Sequence, residues 1–144
     1  MNAKTFAAII GATSVLVGCE FNLWGPSISD VLVCEKANPL EGCEKNQNTF
    51  KTTTPRLFAT AKLDNAVEGT KVKVLWRLNQ GQTAQGKTLK NVRIYEKEFT
   101  TKLDQNTITT ALAPGNNWQP GTYEVSFVIV GDESKRESEK FQIK

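Results

Sequence analysis

From Phe50 onward, apolar and polar residues alternate along the chain in the period of two that marks half-buried strands. In residues 57–63, Leu57, Ala59, Ala61 and Leu63 share one face, with Phe58, Thr60 and Lys62 on the other. After a turn at residues 64–69, the run 71–78 places Val72, Val74, Trp76 and Leu78 inward and Lys71, Lys73 and Arg77 outward. The Gln- and Gly-rich stretch 79–87 reads as a loop. Residues 92–99 alternate less cleanly, opposing Val92 and Ile94 to Tyr95, Lys97 and Phe99. A Thr-rich strand over 107–113 carries Ile108 and Leu112 on one side. Pro114-Gly115 and Pro120-Gly121 then flank Trp118, and proline followed by glycine suits a type II turn. The strand 122–130 aligns Tyr123, Val125, Phe127 and Ile129, and a turn at 131–134 leads to a last strand with Phe141 and Ile143 inward. Six to seven short strands, regular turn signals and no helical period predict an all-β fold, a single antiparallel sandwich.

Two segments carry a resemblance. Gly69-Thr70-Lys71-Val72-Lys73-Val74-Leu75-Trp76 followed by Trp118-Gln119-Pro120-Gly121-Thr122-Tyr123-Glu124-Val125 resembles small immunoglobulin-like domains of bacterial envelope proteins. In those, a glycine turn opens a strand with a core tryptophan, and Pro-Gly-x-Tyr opens a later strand. The resemblance covers residues 50–144. It departs from antibody-type domains in its cysteines, because Cys34 and Cys43 precede the first clear strand instead of joining two core strands.

The first nineteen residues follow another logic. Lys4 precedes an apolar segment over residues 6–17, interrupted by Gly11, Thr13 and Ser14. At about a dozen residues it falls short of the roughly 20 needed to cross a hydrocarbon core, so it reads as a secretory segment that is removed. Its end, Leu16-Val17-Gly18-Cys19, resembles the lipobox of bacterial lipoproteins. The resemblance implies cleavage before Cys19, recognition through Leu16, Val17 and Gly18, and diacylglycerol on the Cys19 thiol. Each buried methylene contributes about 0.8 kcal/mol, and stable attachment needs two or more chains, which a diacylglycerol supplies. Glu20 stands where an aspartate would favour the inner membrane, so the outer membrane facing the periplasm is expected, with surface exposure left open. The alternative is an ordinary thiol after an ordinary signal peptide.

The domain plan is therefore a lipoprotein signal peptide at 1–18, a lipid-anchored tether at 19–49 and the immunoglobulin-like sandwich at 50–144. Residues 20–47 show no sustained period. Phe21, Leu23 and Trp24 suit either lipid headgroups or the folded domain, and residues 27–33 suit a short strand or a helical turn. With Cys19 lipidated, Cys34 and Cys43 remain as an even pair in an oxidising compartment, and a disulfide between them is expected.

Charge and chemistry narrow the function classes. The 144 residues carry a net charge of +3 with Lys and Glu interspersed, which gives no basic stripe and no expectation of nucleic-acid binding. The chain has no histidine, so a His-centred triad is excluded and a two-cysteine zinc site lacks partners. Glu96, Glu98 and Glu124 read as solvated strand charges, not as a catalytic pair. No serine stands in a nucleophile elbow and no glycine-rich loop opens a helix. The expectation is a non-enzymatic module with no cofactor and no metal. Its expected partners are membrane lipid, through acyl chains on Cys19, and another envelope protein. The candidate contacts are Lys71, Lys73, Arg77 and Tyr95. Against that reading, the cationic row can be a solvated face, and Phe58, Tyr95 and Phe99 can be covered by the second sheet or shifted by one in register. Binding of a glycan or small ligand, or inhibition of an incoming enzyme, is the alternative.

Overall fold

The computed structural model describes residues 25–144. The lipobox with Leu16, Val17, Gly18 and Cys19, and the apolar residues Phe21, Leu23 and Trp24, lie outside the described residues. The strands are β1 (Ser27–Cys34), β2 (Ala37–Asn38), β3 (Gly42–Cys43), β4 (Thr49–Phe50), β5 (Leu57–Asp64), β6 (Lys71–Gln82), β7 (Thr88–Thr100), β8 (Thr107–Leu112), β9 (Gly121–Ile129) and β10 (Asp132–Ile143). Seven are long and three are two-residue segments. They form a three-stranded sheet, β1-β5-β8, facing a five-stranded sheet, β4-β10-β9-β6-β7, with a small β2-β3 hairpin alongside. All pairings are antiparallel except the short β4–β10 one. This is the immunoglobulin-like sandwich expected from the sequence.

The alternation places the core as read. Leu57, Ala59, Ala61 and Leu63 from one sheet meet Val72, Val74, Trp76, Leu78, Tyr123, Val125, Phe127 and Ile129 from the other, all buried. Phe141 is the hub of an aromatic cluster. It stacks on Tyr123 at 5.4 Å and meets Phe50 and Trp76 edge-on at 5.7 and 6.1 Å, geometries that suit the ring quadrupoles. The Tyr123 phenol donates to the Gln119 carbonyl at 2.6 Å, tying the start of β9 to the loop before it as in a tyrosine corner. Trp118, also buried, donates its indole N–H to the Thr54 carbonyl at 2.8 Å. Gly121 is required by close approach, because a Cβ there would collide with the Gln80 carbonyl oxygen of β6.

Three local readings change. The tether was expected over 19–49 with the sandwich beginning at residue 50; the structure begins it at Ser27, since β1 pairs with β5 along most of its length. Its period of two is broken by a bulge between Ser29 and Leu32, where Asp30 takes a positive φ of 47°, so Ile28, Val31 and Val33 are buried without simple alternation. Next, the expected loop at 79–87 is shorter, because β6 continues to Gln82 and β7 begins at Thr88. Finally, the ambiguous parity of 92–99 is resolved by a bulge. Across β6, Leu78 faces Val92 and Trp76 faces Tyr95, with the register shifting between Trp76 and Arg77. One additional residue lets Val92, Tyr95, Lys97 and Phe99 share the side of β7 that Trp76 occupies on β6.

Cys34 and Cys43 form the expected disulfide, with Cα atoms 5.9 Å apart. The β2-β3 hairpin it closes folds back onto β5. The Cys43 amide donates to the Thr60 hydroxyl at 3.1 Å, and Gly42, at φ 81°, lies where a Cβ would come within 2.9 Å of Thr60. Thr60, an outward position by parity, is buried as a result.

Candidate functional site

The strand β7 closes one end of the five-stranded sheet and, among the described residues, pairs only with β6, so its other edge presents N–H and C=O groups that no described strand takes up. It is 13 residues long and exposed along nearly its whole length. Val92, Ile94 and Tyr95 retain 38%, 40% and 38% of their surface open, against none for Trp76 one strand inward. The three-stranded opposing sheet is too narrow to cover them. Leu89 and Phe99 are half-buried against the core, and the Lys97 ammonium lies 4.9 Å from the Phe99 ring centroid.

Beside this edge a cleft of about 250 Å³ opens between the sheets. Leu78 and Tyr123 form its floor, Leu89, Val92 and Ile94 one wall, and Leu112, Pro114 and Trp118 the other. Burial pushes the Tyr123 phenol up to about 12, so it remains a neutral donor to Gln119. The residues from Lys87 to Ile94 include Lys87, Lys90 and Arg93 and no carboxylate. An unpaired backbone edge, an apolar cleft and local positive charge thus coincide in one half of β7.

The residues singled out from sequence are distributed differently. Lys71, Lys73 and Arg77 do point to the outer face of the five-stranded sheet, but the row is not bare. Lys73 pairs with Glu96 at 3.5 Å and Lys71 with Glu98 at 3.9 Å, while Glu96 also receives Arg93 at 3.0 Å. Glu124 lies in register between Arg77 and Lys140. Tyr95 belongs to the other side of the same strand, so the four candidate contacts do not converge on one patch. Phe58 is half-buried at its outward position. Sequence reasoning passed over Leu89, Val92 and Ile94 as site residues; their signal was the broken alternation of β7, against the clean alternation of β6 beside it.

Another depression, of about 580 Å³, lies between the disulfide hairpin and the β1 bulge. Asp30, Lys36, Glu41, Glu44 and Lys62 line it, with Asp30 and Lys62 paired at 3.4 Å. It is open and charged, suited to water.

No protein-family model matches the chain, and no curated protein sequence is similar to it. Its fold is similar to that of an immunoglobulin-like protein from Pseudomonas aeruginosa, with a TM-score of 0.52 at 13% identity over 83% of this chain and 96% of that one. A solved soluble domain of PmoD from a Methylocystis species aligns with a TM-score of 0.45 at 12% identity, covering 81% of this chain and 90% of that one. The first likeness, at that identity, shows the immunoglobulin-like fold.

Proposed function

We propose that this chain is a lipid-anchored, non-enzymatic interaction module of the bacterial cell envelope, docking on another envelope protein through β7. The observation that carries the docking is the free edge of β7 beside an apolar cleft. An extended segment of a partner can continue the sheet through main-chain hydrogen bonds while an apolar side chain enters between Val92, Ile94 and Leu112. The anchor rests on the lipobox ending in Cys19, and the Cys34–Cys43 disulfide is consistent with an oxidising compartment. An outer-membrane location facing the periplasm follows from Glu20 in the same resemblance. The cleft is smaller than the roughly 300–1,000 Å³ of ordinary small-molecule sites, which favours a protein partner over a small ligand.

The test is crosslinking in intact cells, detergent extraction and capture through a tag after Lys144, comparing wild type, Cys19→Ala and Ile94→Lys. A defined envelope protein should be captured by the wild type and lost from Ile94→Lys. Equal capture by Ile94→Lys removes the β7 site, and recovery of no specific protein removes the docking reading.

A further inference from the structure

The two ends of the sandwich differ. At one end lie the β5–β6, β7–β8 and β9–β10 connections, and each exposes one aliphatic side chain: Val67 at 73%, Leu103 at 71% and Val130 at 41%. At the opposite end lie the β4–β5, β6–β7 and β8–β9 connections, and none of the exposed large hydrophobic residues belongs to them. A single exposed aliphatic is ordinary. Three on three separate connections at one end form a pattern; Leu40, exposed at 84%, lies apart from them on the turn of the β2-β3 hairpin.

These connections are joined into one surface by backbone and side-chain hydrogen bonds. The Thr101 hydroxyl donates to the Val67 carbonyl at 2.8 Å, the Gly69 amide to the Thr101 carbonyl at 2.9 Å, and the Val130 amide to the Lys71 carbonyl at 2.9 Å. The described chain also enters at this end. Ser27 pairs with Asp64 at the close of β5, and a Cβ at Gly25 would lie 2.6 Å from the Lys135 ammonium, just past the β9–β10 turn. From Cys19 to Gly25 an extended chain reaches at most about 20 Å.

We infer that this end is a lipid-facing surface, with Val67, Leu103 and Val130 seated in the headgroup region of the bilayer that holds the anchor. The inference rests on Cys19 being the lipidated residue. Both charge signs stand on or beside each connection, Glu68 near Lys71, Asp104 near Lys102 and Asp132 within 4.0 Å of Lys135, and these three carboxylates and three lysines balance. Attraction to anionic lipid is therefore not what seats it; the fit is to a zwitterionic interface through apolar contact. Three aliphatic tips are a weak hold for a free protein. A short tether raises their effective concentration at the surface to the millimolar range or above, where a weak contact is occupied. The arrangement turns the β6–β7 and β8–β9 connections, and the cleft of β7 near them, away from the membrane.

The test uses the acylated full-length product reconstituted in phosphatidylcholine vesicles, with an environment-sensitive fluorophore on Leu103→Cys or on Gly115→Cys. Gly115 lies at the opposite end, where an added Cβ meets nothing within 4 Å. The inference expects blue-shifted emission at position 103, quenched by nitroxide-labelled acyl chains and unchanged by high salt, with water-like emission at 115. Water-like emission at both positions in protein that mass spectrometry shows to be acylated overturns the inference and leaves the anchor standing. Protein that carries no acyl group overturns both.

Discussion

The two long sides of this sandwich solve the same problem in different ways. On one side β1 lies against β10, β4 adds a short parallel segment to the end of β10, and the disulfide hairpin covers the outward face of β5. Asn46 reaches across to Glu139 at 3.1 Å. On the other side β7 projects beyond the narrower sheet, and the gap between β7 and β8 remains as an apolar cleft. The closed side consumes its edges in covalent and backbone links; the open side protects its edge with lysine, arginine and glutamate alone. A fold that completes one side can leave the other available to a partner without losing its core.

The sharpest way to break this comparison is at the aromatic hub. Phe141→Ala should destabilise the domain by about 3–5 kcal/mol, measured as a fall in urea midpoint with unchanged slope. Removing the disulfide by Cys34→Ser with Cys43→Ser should come next, at about 2.7 kcal/mol for a loop of this size on the chain-entropy estimate. If reduction of the wild-type protein leaves thermal unfolding unmoved, the closed side owes nothing to its bridge.

Tyr123 lies at the junction of core and cleft and separates the two sides by pH. Its folded pKa is raised to about 12 from the ordinary 10, so the stability it contributes is complete below pH 10 and declines as pH rises through 10 towards 12. Tyr123→Phe should cost about 1 kcal/mol at neutral pH through loss of the bond to Gln119. It should also flatten the alkaline decline relative to wild type, as read by denaturant titrations from pH 9 to 11. A decline equally steep in the phenylalanine variant would assign it to other groups.

The smallest stability effects are expected on β7 and its ion pairs. Ile94→Lys should change unfolding free energy by no more than about 0.5 kcal/mol while abolishing partner capture. Lys73→Ala should cost about 0–1 kcal/mol, since both partners of its ion pair are substantially exposed. A loss from Ile94→Lys as large as that from the disulfide would erase the distinction between the sides.

The legible parts of the fold are those where alternation is uninterrupted. In β5, β6 and β9 every residue read as inward from parity is buried, from Leu57 to Leu63, Val72 to Leu78 and Tyr123 to Ile129, although outward Thr60, Ser126 and Val128 are covered as well. Where a bulge adds a residue, parity inverts and the reading fails. That happened in β1 at Asp30, which hid a sandwich strand inside the supposed tether, and in β7 between Val92 and Tyr95, which blurred the site itself. The cationic row was read on the correct face, but its neutralisation by Glu96 and Glu98 depends on a strand pairing that the chain does not announce.

Local chemistry, by itself, determined the all-β class, the central strands, the core tryptophans and the cysteine pair, because side-chain period and turn residues act over a few positions. Only the tertiary structure decided which edge is left unpaired, where the sheets differ in width, and which aliphatics gather at the end where the chain enters. Those are properties of segments brought together across dozens of residues. They are set by register and by the unequal number of strands in two facing sheets, which no local pattern encodes.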